Sequence, residues 1–313
     1  MKEDLDFIKP ENLEESLRGL GPSFAITRGH WERHNDCEAR DLAWNHIDQF
    51  HRTPIHGTYS KAVRFFRSRN SAASLTVVPF PLFRFPLLVT VNDIQLGEGL
   101  YYQTFTLFNL LHVHMINRII PQGLKSLEEL DWFVVSHRLF KFLHAPVTRR
   151  FAKIMQFQSE QDVPIRIRRA DLRAKGYSFD TDKPDLLNSN SVRDGVIPPE
   201  AQELRVSLQG LAAGKVQKVG EANLELVVLK QETGELLVWP EVCPHQGGPL
   251  AQGKLCGAQL ECPWHGFRFS GVRLSQSNPE GQSGFYAYRL AGHDLFVRRM
   301  NSVSCRTSSN VIS

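Results

Sequence analysis

The chain has 313 residues, a net charge of +4 and a hydrophobic content of 42%. This length predicts two domains with a core each, and the composition excludes a disordered or fibrous protein. The charge is too small to predict a nucleic-acid partner. No apolar stretch typical of a secretory signal opens the chain, and the most apolar segment, 107–120, is too short and polar to span a bilayer. Because the cysteines show no disulfide framework, we expect a cytoplasmic protein.

The first half of the chain predicts a sheet with flanking helices. A short polar helix at 10–20 precedes a connector that carries several His and Arg residues. Apolar and β-branched strands are predicted at 87–96, at 101–120 (straight or bent) and at 130–136, and we expect them to form one curved sheet around a cavity. The aromatic residues of 80–85 and 101–108 indicate a largely hydrophobic pocket. Apolar positions at helical spacing then predict a helix over 138–158 that Pro146 interrupts.

The segment 45–56 holds a candidate metal site. Asp48 and His51 are three residues apart and are predicted to share a helix face. His51 and His56 are five apart and would diverge on an unbroken helix, but Pro54 is expected to break it and let both imidazoles reach one point. Two histidines with a carboxylate from elsewhere form the facial triad that holds non-haem Fe(II). Ordinary surface histidines are the alternative interpretation.

A change of composition predicts the domain boundary. The stretch 180–200 is rich in Asp, Asn, Ser and Pro, and we place a linker at 186–202 between domains 1–185 and 203–300. Residues 301–313 have no pattern and are predicted to be a mobile tail. The basic residues of 149–150 and 166–175 are interpreted as a solvated face, with a dock for an acidic redox partner as the alternative.

A second candidate site lies in two short loops of the C-terminal half. Cys243 and His245 form a C-x-H pair, and Cys262 and His265 form a C-x₂-H pair after sixteen intervening residues. Each loop therefore supplies one sulfur and one nitrogen, which suits a [2Fe–2S] centre with two cysteines on one iron and two histidines on the other. Glycines follow each pair and allow the backbone to approach the cluster. A structural zinc site is the alternative, although zinc sites more often use C-x₂-C with H-x₃-H.

The two sites together resemble one known family. The stretch CPHQGGPLAQGKLCGAQLECPWHGFRFSG resembles the Rieske domain of Rieske non-haem iron oxygenases, and the resemblance covers roughly residues 203–300. Respiratory Rieske proteins carry a further cysteine in each loop, and these loops have none. The catalytic motif of the oxygenases is matched position by position at Asn45, Asp48, His51 and His56. By the same resemblance Asp162, within Gln-Asp-Val-Pro-Ile, is the third iron ligand.

The family resemblance implies an architecture and an activity. It implies an α+β protein with an N-terminal helix-grip (START-like) domain of antiparallel sheet and helices, and a C-terminal all-β Rieske domain. The motifs are most similar to the branch of ketosteroid hydroxylases, vanillate demethylases and pheophorbide oxygenases. The cofactors would be a [2Fe–2S] cluster and a mononuclear Fe(II) that activates O₂ for mono- or dioxygenation of a hydrophobic ring-containing or isoprenoid substrate. A separate ferredoxin or reductase would donate electrons, since no G-x-G-x-x-G fingerprint is present.

The resemblance also assigns roles and shows departures. It implies catalytic roles for Asn45 and Asp48, with Asp48 linking His51 to a cluster histidine, His245 or His265, within one chain or between the subunits of a trimer. The domain order is the reverse of the family's, and the closing segment after the third ligand is short, so part of the sheet is expected to be missing or to come from residues 1–40. Arg166 stands where related proteins often carry an aromatic residue. The alternative function is a lipid-binding domain fused to a Rieske electron carrier without a second iron.

Overall fold

A computed structural model describes residues 9–48, 51–56, 61–67, 71–79, 86–97, 99–107, 110–179, 195–199, 203–221 and 224–300. Within these residues, the chain up to Ala170 forms one compact unit and the chain from Asp171 onward forms a second. The predicted tail, most of the predicted linker and the aromatic segment 80–85 lie outside the described residues. No helix in the described ranges has the length and apolar content needed to cross a bilayer.

The first unit is an antiparallel sheet with helices on both faces. Its elements are α1 (Pro10–Arg18), β1 (Phe24–Asn35), α2 (Ala39–Ile47), α3 (Arg52–Ile55), β2 (Lys61–Arg67), β3 (Ser71–Pro79), β4 (Pro86–Gly97), β5 (Leu100–Leu107), β6 (Leu111–Gln122), β7 (Lys125–His137), a 3₁₀ helix (Arg138–Leu143) and α4 (His144–Ala174). The seven strands are ordered β1-β7-β6-β5-β4-β3-β2, and all neighbours are antiparallel.

Helix α4 and helix α1 cover opposite faces of the central strands. Val113 and Met115 of β6 pack with Trp132 of β7 against Phe151 of α4. The alternate positions, such as Ile116, face the other way and pack with Leu13 and Leu17 of α1 and with Phe133. Because side chains alternate along a strand, one apolar strand can fill both layers. The arrangement confirms the predicted helix-grip domain of antiparallel sheet and long helix.

Three predictions for this unit need correction. The connector in residues 1–40 is a strand, β1, which pairs with β7 along its whole length, so these residues do contribute to the sheet. Residues 101–120 form two strands, β5 and β6, rather than one. The predicted helix 138–158 is a 3₁₀ turn followed by α4, which continues to Ala174 and contains Pro146 in its first turn. Proline is tolerated there because the first amides of a helix have no partner within it.

The second unit is built almost entirely of short strands. Its elements after the end of α4 are β8 (Ser178–Phe179), β9 (Val196–Ile197), β10 (Leu204–Ser207), β11 (Val216–Glu221), β12 (Leu224–Lys230), β13 (Leu236–Pro240), a 3₁₀ helix (Leu250–Gln252), β14 (Lys254–Cys256), β15 (Gln259–Glu261), β16 (Arg268–Ser270), β17 (Val272–Leu274), β18 (Glu280–Ser283), β19 (Tyr286–Ala291) and β20 (Asp294–Arg299).

Two four-stranded sheets of the second unit enclose its core. Their orders are β10-β20-β19-β18 and β11-β12-β13-β17, and a three-stranded sheet, β14-β15-β16, follows the first candidate loop and carries the second. Leu226, Val228 and Val238 from one sheet pack with Tyr288 and Leu295 from the other. The predicted α+β class, with an all-β C-terminal region, is confirmed.

Candidate metal centres

The three predicted iron ligands meet inside the first unit. His51 precedes α3, His56 follows it, and Asp162 lies on α4. The Nε2 atoms of His51 and His56 lie 3.5 and 3.3 Å from Oδ1 of Asp162. All three residues are buried, and each offers a ligand atom within 4.8 Å of the others. Two segments that are about a hundred positions apart in the chain therefore form one group of donors.

The local backbone explains how the two histidines meet, and it corrects two predictions. Helix α2 ends at Ile47, and Asp48 is already extended (φ −74°, ψ 99°), so Asp48 and His51 do not share a helix face. Pro54 does not break the helix, because it lies within the first turn of the one-turn helix α3, where a missing amide costs no helical bond. His51 accepts the amide of Ile55 at its backbone carbonyl. The single turn of α3 therefore spaces the two histidines so that the Nε2 atoms of both lie within 3.5 Å of Oδ1 of Asp162.

The donor atoms fit a divalent metal. Oδ1 of Asp162 is buried and has no hydrogen-bond partner, although two imidazole nitrogens lie close to it. A buried carboxylate oxygen without a partner is costly, and such atoms call for a structural reason. Two imidazole nitrogens and one carboxylate oxygen are the ligand set of a facial triad, which leaves the remaining positions of a metal open.

The imidazoles have polar neighbours that orient them. Nδ1 of His56 lies 3.0 Å from Oε1 of Gln161, within hydrogen-bond distance. Oδ2 of Asp48 lies 3.3 Å from Nδ1 of His51, and Nδ2 of Asn45 lies 3.5 Å from its Nε2. The Asp48 contact has the distance but not the geometry of a hydrogen bond, since Nδ1 of His51 has no hydrogen-bond partner. Asp48 and Asn45 therefore both lie beside His51.

Sequence reasoning missed the role of Arg166. Its side chain is 3% exposed, so the interpretation of 166–175 as a solvated face is wrong at this position and at Arg169, which is 0% exposed. Arg166 donates to Oδ1 of Asn45 from Nη2 (2.7 Å) and Nε (3.0 Å), and to Oδ1 of Asn35 (3.1 Å). Its Nη2 also lies 3.5 Å from Oδ2 of Asp162. The i,i+4 spacing of Asp162 and Arg166 on one helix was the available signal.

A buried carboxylate lies behind this network. Glu128 of β7 accepts from His46 (2.8 Å) and from Asn117 (2.9 Å). Burial alone would raise the pKa of Glu128, but the charges of His46 and Arg166 and these hydrogen bonds outweigh it and hold the pKa at about 2. The pairing of His46 with Glu128 joins α2 to β7 across 82 positions, so no local pattern predicts it.

The four predicted cluster ligands lie in two matching loops of the second unit. The amide of Gly247 donates to the carbonyl of Cys243, and the amide of Gly266 donates to that of Cys262, each at 2.9 Å. Each cysteine amide in turn donates to the carbonyl five residues later, at 2.8 Å. Both glycines have positive φ, which closes each turn. The histidine occupies the third position of one loop and the fourth of the other.

The donors converge as pairs rather than as one tetrahedron. The Nδ1 atoms of His245 and His265 lie 3.2 Å apart, and both cysteines are buried. Among the described residues, the group of three donors that all fall within 4.8 Å is the one around Asp162, so these four ligands do not crowd around a single point. A tetrahedral zinc ion needs four donors within its short bonds. Paired sulfurs and paired nitrogens fit a two-iron cluster better.

Hydrogen bonding, burial and close packing shape the surroundings of the two cysteines. The Cys243 thiol, hydrogen-bonded to Cys262, lowers the pKa of Cys262, while burial raises the pKa of Cys243. A cysteine ligand binds iron as its thiolate, and the pair thus already favours one thiolate. Gly248 is required at its position, since an added Cβ would lie 2.6 Å from Sγ of Cys262.

Comparison with known proteins identifies the second unit. Residues 205–283 match the family model of the Rieske [2Fe-2S] domain. The C-terminal region is therefore a Rieske domain. Relatives of this chain include a probable 3-ketosteroid-9-alpha-monooxygenase oxygenase component from Rhodococcus rhodochrous (39% identical over 64 residues), cholesterol 7-desaturase nvd 1 from Ciona intestinalis (37% over 67) and the dicamba O-demethylase oxygenase component from Stenotrophomonas maltophilia (36% over 56).

These matches are short. They cover 20%, 21% and 18% of this chain and only 16%, 14% and 16% of the respective relatives. Solved structures similar to this chain include truncated norcoclaurine synthase from Thalictrum flavum, at 11% identity and a TM-score of 0.38, over 46% of this chain and 96% of that one. Another is a START superfamily protein from Mycobacterium smegmatis, at 12% identity and a TM-score of 0.34, over 43% and 97%.

Proposed function

We propose that the chain is an oxidoreductase of the Rieske oxygenase type, with a [2Fe–2S] cluster in the second unit and a mononuclear iron in the first. The observation that carries the proposal is the convergence of His51, His56 and Asp162, in a chain whose other unit is a Rieske domain. The proposed cluster ligands are Cys243, His245, Cys262 and His265.

The side chains of the first unit would hold the iron and keep part of its surroundings open. Asp162 would offer Oδ1 to the metal, while Arg166 lies beside Oδ2 and would favour binding through one oxygen. Gln161 beside His56 and Asp48 beside His51 would set the tautomer and orientation of each imidazole. When bound, the iron would supply O₂ activation with electrons delivered through the cluster.

The substrate we propose is a hydrophobic ring-containing or isoprenoid molecule. The names of the relatives refer to a ketosteroid, to cholesterol and to dicamba. Two of those names say "oxygenase component", which supports a separate ferredoxin or reductase as the electron donor.

Counting iron tests the proposal. Anaerobically purified wild type should hold about three irons per chain, two in the cluster and one in the facial triad. The double substitution His51→Ala with His56→Ala should lower this to about two and leave the visible spectrum of the cluster unchanged. The matched control is His112→Ala with His114→Ala, a histidine pair on β6 of the same unit, which should keep about three irons.

Cysteine variants test the cluster separately. Cys262→Ser should abolish the visible absorption and the low average g-value of the reduced protein, because a hydroxyl does not replace the thiolate ligand. Cys256→Ser is the control, since Cys256 lies on β14 in the same unit and is not a proposed ligand. Wild type that stops at about two irons would favour a lipid-binding domain fused to a Rieske electron carrier, and a colourless protein that holds only zinc would refute the cluster.

A further inference from the structure

One end of the sheet in the first unit carries apolar side chains that the fold does not bury. The 3₁₀ helix reads Arg-Leu-Phe-Lys-Phe-Leu, and none of its residues is buried. Leu139 is 73% exposed and Phe142 is 71% exposed. Leu20, in the turn after α1, is 52% exposed, and Phe24, the first residue of β1, is 44% exposed. We refer to Leu20, Phe24, Leu139 and Phe142 as the apolar end.

The two chain segments that carry the apolar end are neighbours. Phe24 pairs with His137 in the sheet, and their rings lie 6.3 Å apart. The amide of Arg138 donates to the carbonyl of Ser23 at 2.8 Å, which ties the 3₁₀ helix to the turn before β1. Contiguous exposed apolar side chains mark interaction sites, whereas isolated ones need no explanation.

The 3₁₀ helix separates apolar and basic side chains into two rows. Side chains three residues apart eclipse each other in this kind of helix. Leu139 and Phe142 therefore form one row, and Arg138 and Lys141 form the row beside it, all four exposed. Neither basic side chain pairs with a carboxylate among the described residues. The cations thus remain available at the edge of the apolar row.

The charge of the segment that contains the 3₁₀ helix has one sign. Between Asp131, which is buried, and Glu160 the sequence has no acidic residue, but it has five lysines and arginines. All five are exposed: Arg138, Lys141, Arg149, Arg150 and Lys153. A run of 28 residues with cations, protruding Leu and Phe side chains and no carboxylate complements an anionic, apolar surface.

We propose that the apolar end docks the protein on an anionic lipid bilayer, with Leu139 and Phe142 inserted among the headgroups and Arg138 and Lys141 on lipid phosphates. A second copy of the chain is a poorer occupant, because a two-fold interface would place the same cations opposite one another. A protein partner would need pockets for two side chains that protrude this far, whereas a bilayer accepts them without matching shape. The proposal is independent of iron binding by the first unit.

Vesicle binding by the full-length chain tests the proposal. We expect co-sedimentation with vesicles that contain phosphatidylserine, weaker binding to pure phosphatidylcholine and loss of the difference as salt rises. Leu139→Ser with Phe142→Ser should weaken binding to both vesicles by at least about tenfold, because buried apolar surface is lost. Arg138→Gln with Lys141→Gln should weaken binding about 25-fold on anionic vesicles alone, at about fivefold for each cation.

The matched control is Leu124→Ser. Leu124 is 79% exposed but lies in the turn between β6 and β7, at the opposite end of these strands and roughly 40 Å from His137 along β7. This variant should bind like wild type, and all variants should keep the wild-type circular dichroism. Absence of vesicle binding by wild type, or equal weakening by Leu124→Ser, would overturn the proposal. So would a wild-type dimer in sedimentation equilibrium that the Leu139 and Phe142 variant dissociates, because the occupant would then be a second copy.

Discussion

Replacing Arg166 with methionine tests whether its guanidinium compensates the negative charge of Asp162 when no metal is bound. The side chain is 3% exposed, and methionine keeps much of its volume while removing the charge and all donors. At the 3.5 Å between Nη2 and Oδ2, two unit charges attract by about 5 kcal/mol at an effective dielectric constant of about 20. Removing one partner of a buried pair costs about 3–5 kcal/mol in free energy of unfolding.

The expected result has a stability part and a metal part. In metal-free protein, Arg166→Met should lower the melting temperature of the first unit by about 10 °C, at roughly 2–4 °C per kcal/mol. Added Fe(II) should restore much of this loss, because the cation then neutralises the carboxylate that the variant leaves unpaired. The increase in melting temperature on adding Fe(II) should therefore be larger in Arg166→Met than in wild type.

A second buried arginine provides the control. Arg169 is 0% exposed, contacts Asp41 at 3.3 Å and stacks over Trp44 at 3.9 Å. Arg169→Met should lose a comparable free energy of unfolding but show the wild-type increase on adding Fe(II). The assay is anaerobic differential scanning calorimetry with and without Fe(II). A parallel melt followed by visible absorption identifies the transition in which the cluster is lost, and the other transition is assigned to the first unit. Equal Fe(II)-induced increases in wild type and Arg166→Met would refute the reasoning.

Two further predictions concern carboxylates around the same site. Asp48→Asn should keep full iron content and a reducible cluster but should slow reoxidation of the cluster on adding substrate and O₂, and normal turnover would rule out a coupling role for Asp48. Glu128 has a folded pKa of about 2 against 4.5 ordinarily, so its stabilising effect is present above pH 4.5 and is lost as the pH falls towards 2. Between pH 5 and 3 this should remove about 2 kcal/mol of stability, measured by urea unfolding. In Glu128→Gln the free energy of unfolding should change less between pH 5 and 3 than in wild type. The same pH dependence in both proteins would contradict the lowered pKa of Glu128.

Local sequence was sufficient to single out the cysteines and histidines of the candidate sites. The Cys-His pairs lie in two five-residue turns closed by their own backbone, so spacing and following glycines were enough to predict them. His51 and His56 flank a single helical turn, and their meeting point was predictable although its cause was not. Apolar patterning, which is a property of neighbouring residues, also predicted much of β4 and β7, but it merged β5 with β6.

Tertiary contacts decided what each polar side chain does. Arg166 and Arg169 sit in a basic run that looks solvated, yet Arg166 is buried because it meets Asn45 and Asn35, which are 121 and 131 positions away. The partners of Glu128 likewise come from α2 and β6. The sequence of β1 resembles a connector, and it forms a strand because it pairs with β7. Conversely, the apolar residues Leu139 and Phe142 suggest a buried helix but remain exposed, because the fold places nothing over them among the described residues. Burial and pairing depend on which distant segments come together, and the periodicity of one segment does not contain that information.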